Sequence, residues 1–187
     1  MFQGFSNDGL TCSQFQISNT IRRLWLEHVL WTRFFIISAA FDLPDLQQVT
    51  ERLLQNPEDF ARELAPLYGR QTASQFRQLF TDHLLIAAEL VNAAKAGDTS
   101  KVESERRRWY LNAEEIADFL SVINPFWNKR TWRNLLFEHL RMTENEAVHT
   151  LSGQYRESIR EYDSIQNQAL QMADVMTRGI IRQFRIK

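Results

Sequence analysis

Cysteine, glycine and proline are all scarce in this chain. Cys12 is the only cysteine among 187 residues. One thiol permits neither an intrachain disulfide nor a thiolate metal cage, and it fits a reducing, cytoplasmic setting. The six glycines form no G-x-G-x-x-G and no G-x-x-x-x-G-K-[ST] loop, so the usual phosphate cradles are absent and no nucleotide is expected. Charge of one sign is lacking too. The net charge of -1 sets up no global field toward nucleic acid or an anionic membrane. Long apolar runs are also missing. The longest mainly apolar stretch, Phe34 to Phe41, is far short of a membrane span. Met1 to Ser18 has no basic patch followed by an apolar run and does not read as a signal peptide.

Hydrophobic residues make up 44% and charged residues 24%, the balance of one globular domain with a sizeable core. Few breakers over such a length favour long helices. No stretch alternates with period two between turn signals, so no strand is predicted. The pattern predicts an all-α antiparallel bundle of four to five long helices, with a short helical pair between the first two.

Residues 1–16 read as an irregular arm and 17–187 as a single helical-bundle domain. Phe2, Phe5, Leu10 and Phe15 are placed to staple the arm to the body, or to a second copy in a homo-oligomer. The first long helix is expected over 17–41, capped by Ser18 or Asn19. Leu26, Leu30, Phe34 and Ile37 make its second face apolar, the mark of a central helix. Asp42-Leu43-Pro44-Asp45 and Asn56-Pro57-Glu58-Asp59 punctuate two short helices, the second ending at Gly69. Further long helices are expected over 70–97, 99–123, 129–151 and 154–184. The last has Ile159, Tyr162, Ile165, Ala169, Met172, Ala173, Met176 and Ile180 inward, and Gly179 loosening its end.

Three histidines fall at the centres of three apolar stripes. His28 lies among Ile21, Leu24, Trp25 and Phe35, His83 among Phe76, Leu79, Phe80 and Leu90, and His139 among Trp132, Leu135, Leu136 and Met142. Thr32, Asn112, Thr143 and Glu146 also fall on inward faces. Glu27, Asp82 and Glu138 precede the histidines at the stripe edges, where they either orient an imidazole or meet solvent. The Glu-His echo at 27–28 and 138–139, with Thr four residues after each His, hints at internal duplication over a few positions.

A buried polar group is costly unless it is paired, so three inward imidazoles need a role. One is a metal site in the bundle core, with His28, His83, His139 and Glu146 as ligands to iron, zinc or manganese. The network Glu27, Thr32, Asp82, Asn112, Glu138 and Thr143 would support it. The ferritin-like Glu-x-x-His occurs once, at Glu146 to His149, without the second copy that scheme needs. The other role is a hydrogen-bonded network that fixes helix register. Serine and cysteine lack an activation motif. Arg106, Arg107 and Arg108 interleave with Glu103 and Glu105, the pattern of a solvated, ion-paired face rather than a nucleic-acid patch. Phe126-Trp127 suits either a ligand platform or a plug for the bundle end.

A set of short motifs carries a resemblance. These are Leu24-Trp25 through Glu27-His28 and Trp31-Thr32-Arg33, Leu67-Tyr68-Gly69, Asp82-His83-Leu84, Lys95-Ala96-Gly97-Asp98, Trp109 with Asn112-Ala113, Phe119-Leu120 with Asn124-Pro125, His139-Leu140 with Thr143, and Met172-Ala173-Asp174 with Gly179 and Gln183-Phe184. Over about residues 20 to 184 they resemble a family of small bacterial all-helical proteins of unknown function. Some members of it carry the label acetylglutamate kinase. The amino-acid kinase fold is α/β with glycine-rich phosphate loops, and this chain has neither signal. The Glu-His opening also resembles, more distantly, metal-binding bundle proteins with a Glu-His pair in the first helix. The resemblances imply a helical bundle and add to the metal reading. The alternative is a ligand-free bundle that works by self-association.

Overall fold

Helix ends are set by local punctuation. In the computed structural model, which describes residues 11–187, the helices are α1 (Cys12–Ala40), α2 (Leu46–Leu53), α3 (Asn56–Tyr68), α4 (Arg70–Ala96), α5 (Thr99–Ile123), α6 (Lys129–Leu151) and α7 (Tyr155–Phe184). There is no strand among the described residues. The five long helices and the short pair α2–α3 match the expected architecture, and most ends fall within a residue or two of the expected ones.

The start of α1 differs by more. Thr11 and Gln14 form a capping box. The Thr11 hydroxyl accepts from Gln14 N at 3.3 Å, and Gln14 Oε1 accepts from Thr11 N at 3.2 Å. The helix therefore begins at Cys12, and Ser18 and Asn19 lie within it. Residues 12–16 belong to α1 rather than to an arm. Phe15 rides exposed on the helix, and Phe2, Phe5 and Leu10 lie outside the described residues.

α1, α4 and α6 end alike. Each is followed by a residue in the left-handed region: Asp42 (φ 51), Gly97 (φ 72) and Gly153 (φ 72). Beyond each, one N–H reaches back five residues, Leu43 to Ser38 O at 3.0 Å, Asp98 to Ala93 O at 3.0 Å and Gln154 to His149 O at 2.8 Å. This Schellman closure turns the chain back on itself. It returns as α2–α3, as α5 and as α7, so the described residues form three helical hairpins. Around the outside, α1 neighbours α3, α3 neighbours α4, and so on through α7, which packs back on α1. The first helices of the hairpins, α1, α4 and α6, also meet one another in the middle. The repetition is threefold, with the axis running between these three.

The main core lies along that axis and includes Leu24, Trp25, Phe80, Trp109, Leu136 and Met172. Two expectations are corrected here. α1 is not covered all round: Leu30 and Phe34 are 37% and 41% exposed, because neighbours flank α1 on two sides and leave an outer strip to solvent. Ile159 is exposed because the buried stripe of α7 runs through Ser158, Ile165, Ala169 and Met172, one position off.

Gly179 does not loosen α7, which continues to Phe184. It is a notch. A Cβ there would lie 1.8 Å from Trp127 Nε1, and the fully buried Trp127 indole donates to Met176 O at 3.1 Å across the gap. Trp127 thus plugs the bundle end, while Phe126 stays exposed beside Arg182. The basic stretch on α5 is ion-paired: Arg106 with Glu144, Arg107 with Glu103, and Arg108 with Glu105 and Glu89.

Candidate metal centre

Each hairpin brings one histidine to the axis. His28 on α1, His83 on α4 and His139 on α6 are each 2% exposed. The His28 ring centroid lies 5.5 Å from that of His139 and 6.5 Å from that of His83. Aromatic rings wall the group. Phe80 stacks against His28 at 4.9 Å, Trp109 lies 5.3 Å from His83, and Trp25 stands edge-on to His28 at 5.7 Å.

The returning helix of each hairpin supplies a carboxamide. His83 Nδ1 lies 2.8 Å from Asn112 Oδ1, and Asn112 Nδ2 donates to Leu79 O at 3.0 Å. His139 Nδ1 lies 3.2 Å from Gln168 Oε1, and Gln168 Nε2 donates to Leu135 O at 2.7 Å. The backbone carbonyl fixes which way each amide points. The amide oxygen therefore faces the ring, and the ring must donate through Nδ1–H. That tautomer leaves the lone pair on Nε2, which the ring geometry turns away from the outer helix. Asn56 repeats the arrangement for His28, with Nδ2 donating to Leu24 O at 3.1 Å. Here the last bond does not close: His28 Nδ1 and Asn56 Oδ1 are both buried without a hydrogen-bond partner. The first hairpin is one residue shorter between its histidine and its carboxamide, and its returning helix is broken between α2 and α3.

Burial keeps all three rings neutral. It holds His28 well below the usual imidazole range, helped by the neighbouring His139 and His83 rings and opposed slightly by nearby Asn56. It lowers His83 to about 3 against the Asn112 hydrogen bond, and His139 to about 4 against that of Gln168. Neutral imidazoles with a fixed tautomer are in the state that ligates metal.

The other candidates take different places. Asn112 is part of the centre. The Thr32 and Thr143 hydroxyls bond back to the His28 and His139 carbonyls at 2.8 and 2.9 Å, so they serve the helices rather than the rings. Glu27 pairs with Arg23 and Arg52, Asp82 accepts from Gln78, and Glu138 pairs with Arg141. The three acidic neighbours thus face outward. Glu146 lies two turns beyond His139, about 10 Å along the helix. It is buried against Arg33 at 2.5 Å, and Arg33 also reaches Ser158. Desolvation pushes the Glu146 carboxyl up to about 7, against the pull of Arg33. His149 meets Gln154 at the surface.

Sequence reading missed Asn56 and Gln168. The signal is their spacing: Asn56, Asn112 and Gln168 recur every 56 residues, and His83 and His139 share that period. In all three copies the carbonyl that receives the amide belongs to a leucine four residues before the histidine. The short echo at 27–28 and 138–139 is one part of this threefold pattern.

No family model, no curated protein and no solved structure matches the chain. Among the described residues, no group of three or more His, Cys, Asp or Glu already stands in position to share one ion. No helix of the described residues is long and apolar enough to cross a membrane.

Proposed function

We propose that the protein holds one transition-metal ion on its axis through Nε2 of His28, His83 and His139. The observation that supports this most is the carboxamide that holds Nδ1 of two of the buried rings, His83 and His139, with a third carboxamide, Asn56, placed alike beside His28. Ligating histidines commonly donate their other ring N–H to an oxygen acceptor, and an amide oxygen does the same here, fixing tautomer and orientation. The orphaned pair at His28 and Asn56 adds to it. His28 Nδ1 lacks the partner that the other two rings have, and Asn56 Oδ1 is free to supply it. Binding draws the three rings inward from their present spacing.

An all-nitrogen set suits zinc first and iron(II) next. Manganese, which prefers oxygen ligands, suits it least. Three protein ligands leave a fourth position for water or a substrate, as in catalytic zinc sites. Cobalt(II) is the direct probe. On titration into metal-free protein, visible absorption of a tetrahedral nitrogen-ligated ion is expected, and it disappears in His139→Ala. Its absence in the wild type overturns the reading.

The second reading is a ligand-free bundle in which the three His-carboxamide pairs fix helix register and the protein acts by self-association. Each carboxamide already bonds the partner helix backbone, which favours a lock. The outer strip of Leu30, Phe34, Phe41 and Tyr155 offers an apolar surface for a second copy. Sedimentation showing a dimer that Phe34→Glu dissociates, with no metal taken up, selects this reading.

A further inference from the structure

One turn beyond the histidines, the axis opens. The residues four after each histidine are Thr32, Ala87 and Thr143, and all three line a partly open cavity with about 70 Å³ of room for the centres of water-sized atoms. Eight after each histidine come Ile36, Val91 and Ala147, which line it too. The cavity is therefore axial, built from successive layers of the three inner helices. The small side chains Ala87 and Ala147 leave room where the other copies carry larger ones. Leu84, Leu90 and Trp109 complete its wall.

The interior has little to offer a polar molecule. Thr32 and Thr143 spend their hydroxyls on the His28 and His139 carbonyls. The polar groups gather at the mouth between α5 and α6, where Arg106 and Glu144 line the cavity beside the half-exposed Val148. The two are paired, with Arg106 Nε donating to Glu144 at 2.7 Å. A carboxylate head group would meet Glu144, and an ammonium would meet Arg106. A hydroxyl suffers neither penalty: its oxygen accepts from the guanidinium while its hydrogen goes to the carboxylate.

We propose that this axial cavity is a binding site for a neutral single-chain amphiphile, an alkyl chain inside and a hydroxyl head at the Arg106–Glu144 pair. The lining spans about two helical turns, roughly 10 Å. An extended chain advances roughly 1.2 Å per bond, so about eight carbons fill it. The site stands independently of what the histidines hold.

The test is calorimetric titration of the full chain with 1-octanol, octanoate and octylamine. Octanol binds, and the two charged analogues bind at least tenfold more weakly. Filling the cavity with Ala147→Leu removes octanol binding while the helical signal is kept. Should that variant fold poorly, Ala94→Leu, nearer the surface, makes the same test. The double variant Arg106→Met/Glu144→Gln narrows the gap between octanol and octanoate. The proposal is overturned if octanol does not bind, if octanoate binds as well as octanol to the wild type, or if the filled variants bind octanol unchanged.

Discussion

Gln168 does for the third hairpin what Asn112 does for the second. Each amide oxygen faces a histidine Nδ1, at 3.2 and 2.8 Å, and each amide nitrogen donates to the carbonyl of the leucine one turn before that histidine. One side chain thus ties a ring and a neighbouring helix together. Replacing Asn112 or Gln168 with leucine strands a buried Nδ1–H and a carbonyl, a loss of about 1–3 kcal/mol in chemical denaturation. The same variants should weaken metal binding about 10- to 100-fold. Asn56→Leu, whose bond to His28 is open, should cost less than either. Equal losses at all three positions would show that the backbone tie alone matters.

Acid should destabilise the fold well before the carboxylates are exhausted. An unfolded histidine takes up a proton near pH 6.5. In the fold His83 and His139 wait until about 3 and about 4, and His28 is lowered as well. Below pH 6.5 the unfolded chain therefore binds more protons, and stability falls as pH falls, by roughly 1 kcal/mol per pH unit for each ring. Glu146 works the other way. Its carboxyl is raised to about 7, so between about 4.5 and 7 the folded chain holds that proton more tightly, and this contribution fades as pH rises. Three rings outweigh one carboxyl. Denaturation midpoints should hold or rise slightly from pH 7.5 to about 6.5 and then decline steadily to pH 4.5, and a triple His→Gln variant should remove that decline.

Gly179→Ala should be among the most damaging small changes in the protein. The new methyl would overlap Trp127 Nε1, which has no room to retreat from the core. The indole would lose its bond to Met176 O as well. The expected loss is about 3 kcal/mol or more, with a red shift in tryptophan emission. Gly97→Ala is the contrast. Nothing lies within 4 Å of its Cβ, and only the left-handed backbone resists, at about 1 kcal/mol. Similar melting temperatures for the two variants would refute the notch.

Arg33→Met should cost about 1–3 kcal/mol, because it removes the hydrogen-bond partner of the buried Glu146, whose carboxyl then takes up a proton. Glu146→Gln should cost less, and it should leave metal content unchanged, since Glu146 serves Arg33 and not the histidines. A drop in bound metal in Glu146→Gln would return that residue to the ligand set.

The helices were legible in the sequence because their boundaries rest on local chemistry. Asn124-Pro125, Gly97-Asp98 and Asn56-Pro57 each act within a turn. The inward position of His28, His83 and His139 was legible for a similar reason, since it follows from the 3.6-residue period alone. What each ring touches was not. Asn112 and Gln168 sit on other helices, 29 residues beyond their histidines, and helix offsets in a bundle do not show in spacing on one helix. Glu146 illustrates the gap: it shares a face with His139, yet two turns along that face it meets a different partner. The start of α1 was missed because Thr11-x-x-Gln14 precedes the apolar stripe it initiates, while Ser18 and Asn19 lie nearer the stripe. The repeat of 56 residues was in the sequence throughout, but it is carried by a few scattered positions, the histidine, the leucine four before it and the distant carboxamide, with little else repeated between them.

The most direct measurement is metal content by mass spectrometry, on wild-type protein and on His28→Ala, each incubated with zinc and iron(II) and then dialysed. A three-histidine site predicts close to one ion per chain in the wild type and a large loss in His28→Ala, with the helical signal intact in both. Wild-type protein that remains metal-free, or a His28→Ala variant that binds as much as the wild type, contradicts it and leaves the histidines as a lock between helices.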